Sequence, residues 1–277
     1  MKTGIQQVVE ELLTNPNTLA SDQDHCCTEC GRIVPRLEVE VLGIKRVVQP
    51  RCQCEIDKHL GKIKISQEYD MKRRIEEKFS ISNLGQRFAE CQFDTFLHRP
   101  GTAKAFSNAK SYVDHFDSVD SEGLIIWGMP GNGKSHLGAA IAHGVKNKDK
   151  TVVFQTVPEL LERIRSTFNS KNKDTEKGIM EALLHCDLLI LDDIGSEKIS
   201  DWVLDVMFRI VDGRYRQKRP IVYTTNLNPK ELEFQLNKRI YDRMLETSII
   251  IENQGTSYRR EIAQQRFERM RNGESRV

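Results

Sequence analysis

The sequence predicts an α/β domain wound around a five-stranded parallel sheet, preceded by a small cysteine-rich module. Five short apolar runs, Gly123–Trp127, Thr151–Gln155, Leu188–Leu191, Pro220–Tyr223 and Ser248–Ile251, are rich in Ile, Val and Leu throughout, as strands covered on both faces are. Helix-length segments separate them. Leu137, Ala140, Ile141 and Val145 recur at helical spacing, and so do Val203, Val206, Met207, Ile210 and Val211. Such alternation calls for right-handed crossovers between parallel strands. The third observation is that five of the seven cysteines lie between Cys26 and Cys54.

Residues 1–24 read as a short helix with Val8, Val9, Leu12 and Leu13 on one side, then a polar linker through Asn15-Pro16-Asn17. Residues 25–54 hold the cysteines, and the alternation of Leu37, Val39 and Val41 predicts a hairpin. Glu55 to Phe79 is charged and helical in pattern, and Gly85 to Gly101 reads as a connector whose Phe88, Phe93 and Phe96 pack on the α/β domain. Asn228-Pro229-Lys230-Glu231 starts a helix, with an Asn cap, Pro in the first helical position and Glu three after the cap. The division expected is 1–60 for the cysteine module, 61–95 for a helical linker and 96–277 for the α/β domain.

Composition removes several classes. Hydrophobic residues make up 38% of 277, enough for a core, yet no apolar run approaches the ~20 residues of a membrane span. Met1 to Gln7 lacks the apolar stretch of a secretory signal, so a cytoplasmic protein is expected. The odd cysteine count fits a reducing compartment better than a disulfide framework. With 42 Lys+Arg against 40 Asp+Glu, the net charge of +2 exerts no overall pull on nucleic acid.

Gly128-Met129-Pro130-Gly131-Asn132-Gly133-Lys134-Ser135 matches G-x-x-x-x-G-K-[ST] and falls between an expected strand and an expected helix. Its glycines let backbone N–H groups curl around phosphates, and the helix N-terminus adds a favourable dipole. Lys134 would reach the β/γ-phosphates of ATP and the Ser135 hydroxyl would ligate Mg²⁺. Leu188-Leu189-Ile190-Leu191-Asp192-Asp193 is an apolar run ending in two carboxylates. Asp192 is placed to hold Mg²⁺, directly or through water, and Asp193 to polarise an attacking water as general base.

The cysteines form two pairs, Cys27-x-x-Cys30-Gly31 and Cys52-x-Cys54. Four thiolates give a closed, tetrahedral structural Zn²⁺ site, and a segment this small has too little core to fold without such a staple. Because C-x-C is a less regular half-site, His25, Cys26 or His59 remains an alternative for one ligand. Cys91 and Cys186 stand apart and are expected to be buried thiols.

From about Phe93 to Arg260 the chain resembles the DnaC/DnaI/IstB group of AAA+ ATPases, the bacterial and phage helicase loaders and their transposition relatives. The resemblance rests on Gly-Met-Pro-Gly-Asn-Gly-Lys-Ser-His-Leu at 128–137, Leu-Asp-Asp-Ile-Gly at 191–195, Tyr-Thr-Thr-Asn-Leu-Asn-Pro at 223–229, Arg-Ile-Tyr-Asp-Arg-Met at 239–244 and Thr-Ser-Tyr-Arg at 256–259. It implies an AAA+ core in which the strand ending Thr224-Thr225-Asn226 lies between the other two motif strands. It makes Asn226 a sensor that orients water against the γ-phosphate, places His136 with the phosphate loop among the nucleotide-binding residues, and gives Arg259 to the nucleotide in cis. Arg239 and Arg243 stand at i and i+4, and Arg243 resembles an arginine finger offered to the adjacent subunit, with a surface pair to Asp242 or Glu246 as the plain alternative. Such a finger implies an ATP-dependent homo-oligomer, a hexamer among its forms, and assembly-dependent hydrolysis. Asp192-Asp193 departs from the Asp-Glu of many AAA+ proteins, so turnover is expected to be slow.

A cysteine module followed by the ATPase is the layout of DnaI-type and many phage loaders. The implied function is a replication ATPase that binds a hexameric replicative helicase and single-stranded DNA, using the zinc module for docking. Two other readings stay open: an IstB-like transposition helper that binds duplex DNA and recruits a transposase, and a non-hydrolysing adaptor stabilised by nucleotide. Arg163, Arg165, Phe168, Lys171 and Lys173 interleave cations with an aromatic ring, as a single-strand track does. By resemblance, Phe168 and the loop around Ser200 and Trp202 line a central DNA channel, while the alternative packs Phe168 beside Leu160, Leu161 and Ile164. The arginine-rich tail from Tyr258 to Arg276, interrupted by Glu261, Glu268 and Glu274, reads as a solvated helix.

Overall fold

A computed structural model of the chain describes residues 24–41, 43–79, 86–118, 120–168 and 175–271. The expected N-terminal helix with Val8, Val9, Leu12 and Leu13, together with Gly85, Lys171 and Lys173, lies outside the described residues. The chain divides into two compact units, one ending at Tyr69 and the other beginning at Asp70.

In the first unit, β1 (His25–Cys26) pairs antiparallel with β2 (Ile33–Val34), and the turn between them carries Cys27 and Cys30. The hairpin expected from the alternation at 37–41 is present. Its strands β3 (Leu37–Val41) and β4 (Ile44–Val48) are in register from Leu37 opposite Val48 to Val41 opposite Ile44. Helix α1 (Gln53–Phe79) starts two residues before the expected Glu55, so Cys54 sits in its first turn, and it runs through position 60 without a break.

In the second unit, the end of α1 buries Ile75 and Phe79. After the short α2 (Gln86–Ala89) and α3 (Ala103–Asp114), the chain alternates strand and helix: β5 (Gly123–Trp127), α4 (Lys134–Lys146), β6 (Val152–Thr156), α5 (Val157–Ser166), α6 (Glu176–His185), β7 (Leu188–Asp192), α7 (Asp201–Arg216), β8 (Ile221–Thr225), α8 (Pro229–Leu236), α9 (Lys238–Glu246), β9 (Ser248–Glu252) and α10 (Tyr258–Arg271). The five strands form one parallel sheet in the order β6-β7-β8-β5-β9. Two expected strand starts shift inward. Thr151 spends its backbone N–H and hydroxyl on the Asp187 carboxylate, both at 2.8 Å, rather than on a strand ladder. Pro220 has no N–H to give one.

The sheet is covered on both faces, as continuous apolar runs require. Leu189 and Leu191 of β7 join Leu160, Ile164, Ile179, Leu183, Val206 and Ile210 on one side. Leu188 and Ile190 join Leu124, Ile126, Leu137, Ile141 and Phe154 on the other. Alternate residues of one strand thus reach opposite layers. On the second face Phe88 packs on Phe154 at 5.2 Å, and Phe93 and Phe96 pack on Phe106 at 5.5 and 5.3 Å, as expected for the connector. The cap at Asn228 closes a full capping box with Glu231. Helix α10 buries nothing, in keeping with a solvated tail. Cys186 is buried as expected, whereas Cys91 is only half-buried, packed with Phe88 and Phe93 against the outside of the second core layer.

One buried charge was not legible in the pattern. Arg214, on α7, is fully buried and, among the described residues, has no carboxylate partner. Its guanidinium donates to the carbonyls of Leu183 (2.7 Å), Cys186 (3.0 Å), Asp187 (3.3 Å) and Pro220 (2.7 Å), gathering the end of α6 and the starts of β7 and β8. A planar fork with five donors meets several acceptors at once, and the C-terminal end of a helix favours a cation. Arg214→Met fills the volume but orphans these carbonyls, and a loss of about 3 kcal/mol in urea unfolding is expected. A loss below about 1 kcal/mol would contradict the staple role.

Candidate nucleotide site and cysteine cluster

The loop 128–133 leaves the end of β5 and enters α4 at Lys134, as the motif requires. Gly128 has φ 145°, where an added Cβ would lie 2.3 Å from the Asn253 carbonyl oxygen, so no side chain fits. The loop is clasped from behind. Asn132 Nδ2 donates to the Asn253 carbonyl at 2.6 Å, and Asn253 Nδ2 donates back to the Asn132 carbonyl at 3.2 Å. These side-chain bonds fix the loop from its rear, which suits a cradle for an anion. Met129 and Pro130 form its exposed tip.

Lys134 is only 6% exposed. Its ammonium donates to the carbonyls of Gly128 (2.9 Å) and Met129 (3.0 Å), to Asn132 Oδ1 (3.3 Å) and to Asn226 Oδ1 (2.9 Å). Burial lowers its pKa to about 8, against the opposing charges of Asp193 and Asp192. The same Asn226 amide donates through Nδ2 to Asp193 Oδ1 at 2.6 Å, so one side chain bridges the buried cation and a carboxylate. Asp193 is held in the left-handed region at φ 57°, its N–H donating to Thr224 Oγ1 at 3.0 Å. Asp192 closes β7, almost fully buried, and accepts from the Thr224 hydroxyl. Burial pushes its carboxyl up, while hydrogen bonds from Thr224 and Ser135 pull it down. Ser135 and Asp192 therefore share one spot with oxygen ligands of the kind Mg²⁺ takes.

The other expected residues divide. Arg259 does reach the loop: a Cβ on Gly131 would meet its Cγ and Cδ at 3.4 and 3.5 Å, and its charge depresses Lys134. His136 turns instead to the connector, with Nε2 2.8 Å from the Gln92 carbonyl and its ring against Phe96 at 5.2 Å. Arg243 pairs with Asp212 on α7 at 2.8 Å, not with Asp242 or Glu246, and its guanidinium lies 4.6 Å from the Tyr215 ring centre. Glu246 takes the Tyr215 hydroxyl instead. Arg239 shares the face, 4.0 Å over Phe208.

Away from the loop, Phe168, Trp202 and Arg165 cluster. The Phe168 and Trp202 rings meet edge-on at 6.2 Å, and the Arg165 guanidinium lies 4.8 Å over Trp202. Phe168 does not pack beside Leu160, Leu161 and Ile164. Those three are buried on α5, while Phe168 follows the helix end and is 60% exposed. Two corrections accompany this. Ser200 is the N-cap of α7, accepting from the Val203 N–H, and Trp202 lies in the first helical turn rather than in a loop. Arg163 faces elsewhere, 4.4 Å over Phe79 and donating to the Lys78 carbonyl.

In the first unit the sulfurs of Cys27, Cys30, Cys52 and Cys54 lie within 4.8 Å of one another. Individual approaches are 3.3 Å for Cys27–Cys54 and 3.5 Å for Cys30–Cys52 and Cys30–Cys54. The alternatives fall away: His25 Nε2 faces Glu55, and the exposed Cys26 thiol points to the Gly31 carbonyl. His59 lines a cleft with Arg51, Glu55, Lys58 and Lys62. The Arg32 backbone N–H helps lower Cys30 to about 7, while shared protons, first with Cys27, push Cys54 up. Four thiols this close cannot all ionise without a cation, and a four-thiolate set suits zinc.

A family model described as IstB-like ATP binding protein matches residues 64–266. The chain belongs to this family. It is 32% identical over 183 residues to the replicative helicase loader DnaC of Buchnera aphidicola subsp. Baizongia pistaciae, covering 65% of this chain and 74% of the relative. Identity to the replicative helicase loader DnaC of Escherichia coli K12 is 31% over 172 residues, covering 62% and 69%. Among solved structures, a DnaC helicase loader aligns with TM-score 0.56 at 22% identity, over 61% of this chain and all of that one. DnaI aligns with TM-score 0.52 at 26% identity, over 61% and 93%. The AAA+ fold and its ATP-binding family are thereby shown, and no described helix is long and apolar enough to cross a membrane.

The cysteine geometry sets a metal test. Protein loaded with cobalt should show thiolate-to-metal absorption at one ion per chain, and Cys27→Ser or Cys54→Ser should abolish it, whereas Cys26→Ser should leave it unchanged. Retention in Cys54→Ser would break the four-sulfur assignment.

Proposed function

We propose that this protein is an ATP-dependent loader of a hexameric replicative helicase, acting as a homo-oligomer on single-stranded DNA. The carrying observation is the Lys134–Asn226–Asp193 bridge beside Ser135 and Asp192, in a chain whose relatives are named helicase loaders. Bound Mg²⁺ would neutralise phosphate charge beside Ser135 and Asp192. Lys134 would leave the loop carbonyls for the phosphates, freeing Asn226 to orient the attacking water and Asp193 to take its proton. Asp193 is shorter than glutamate and already tied to Asn226, which supports slow turnover.

Arg243 serves the neighbouring subunit in this reading, and in this chain it pairs with Asp212 and stacks on Tyr215. Hydrolysis then requires assembly, since one subunit lacks its own finger. Phe168 supplies an exposed aromatic face for bases, backed by the half-buried Trp202, and Arg165 a cation for phosphate, the combination single strands bind. The first unit, held by zinc on its four cysteines, docks the helicase. That module favours the loader over the transposition helper, and the complete nucleotide site favours it over a non-hydrolysing adaptor.

Co-elution with the replicative hexamer tests the reading. A complex with a non-hydrolysable ATP analogue, weakened with ADP, is expected. Absence of any complex with either nucleotide overturns the loader function.

A further inference from the structure

Arg99, in the connector, belongs to none of the sequence motifs, and its side chain is only 12% exposed. Its guanidinium reaches two parts of the nucleotide site at once. Nη2 donates to the Asn132 carbonyl in the phosphate loop at 2.9 Å, and Nη1 donates to the Thr256 carbonyl at 2.6 Å. Nη1 also lies 3.2 Å from Glu261 Oε1, and the guanidinium carbon lies 5.2 Å from the Tyr258 ring centre. Thr256, Tyr258 and Glu261 bracket Arg259, which lies against Gly131. Arg99 is itself fixed by Thr102, whose hydroxyl accepts from the Arg99 N–H at 3.0 Å and donates to its carbonyl at 2.8 Å. The turn is pressed onto the same strand-to-helix link: a Cβ on Gly101 would lie 2.6 Å from the Gln254 carbonyl oxygen, and one on Gly255 would lie 2.5 Å from Thr102 Cγ2.

We propose that Arg99 is a positioning residue for ATP recognition, which ties the phosphate loop to the start of α10 and so sets where Arg259 stands over the nucleotide. The inference rests on the nucleotide site proposed above. Lysine cannot replace Arg99, because a single ammonium lacks the planar fork that spans the two carbonyls. The Arg99 guanidinium is engaged by the Asn132 and Thr256 carbonyls and by Glu261, so the role assigned to it is to place Arg259 relative to the loop.

A double-mutant cycle of Arg99→Ala and Arg259→Ala tests this, by titrating ADP and a non-hydrolysable ATP analogue with unfolding followed in parallel. Arg99→Ala should weaken the ATP analogue about tenfold and ADP by less than about threefold. The double variant should bind the analogue no worse than Arg259→Ala within about threefold, since one pathway is lost once. Arg99→Lys should show the same nucleotide selectivity, and it carries the test if the alanine variant does not fold. Equal losses for both nucleotides, multiplying in the double variant, would reduce Arg99 to a general stabiliser and overturn the proposal. Lys134→Ala serves as the control. If it binds both nucleotides like wild type, the nucleotide site itself is misassigned, a failure distinct from that of Arg99.

Discussion

A buried ammonium has to be neutralised, and the active end of this molecule is organised around that requirement at Lys134. Its charge meets loop carbonyls, the Asn226 amide and the field of Asp192 and Asp193, and these carboxylates oppose the burial that lowers its pKa. Three strands must end side by side to supply those groups. β5 delivers the loop, β7 the two carboxylates and β8 Asn226, and they do so because β8 lies between β7 and β5. The crossovers that give this order send each helix back over a sheet face, so the same topology that gathers the polar groups also buries the apolar ones.

Thr224 shows how closely fold and site are joined. Near the end of β8 its hydroxyl donates to Asp192 and accepts from the Asp193 N–H, while its methyl faces the α4 backbone, where a Cβ on Gly138 would be only 3.3 Å away. One small β-branched residue therefore sets the carboxylate geometry and the helix-to-sheet spacing. The rear of the loop follows the same economy. Asn253 and Arg99 both donate to the Asn132 carbonyl; Asn253 lies in the link from β9 to α10, and Arg99 binds that link at the Thr256 carbonyl.

What the sequence made legible was local. The phosphate loop, the apolar run into Asp192, the paired cysteines and the Asn228 cap are each set by neighbours within about eight positions, and each appears where its spacing placed it. The contacts that were not legible depend on distant partners. Arg214 gathers carbonyls from three elements, Arg243 finds Asp212 one helix away, and Arg163 stacks on Phe79. No period or motif marks such pairs. Phe168 shows a further limit: it continues the spacing of Leu160 and Ile164, but the helix ends at Ser166 and the ring swings to Trp202. Arg99 was hidden for the same reason, since its partners Asn132 and Thr256 lie 33 and 157 positions away.

In the proposed mechanism Asn226 links the cation that senses phosphate to the carboxylate that handles water, and Asn226→Ala separates binding from chemistry. This variant should bind the non-hydrolysable ATP analogue within about threefold of wild type while single-turnover hydrolysis falls about a hundredfold. Hydrolysis retained at the wild-type rate would contradict that role, as would loss of nucleotide binding in step with loss of hydrolysis.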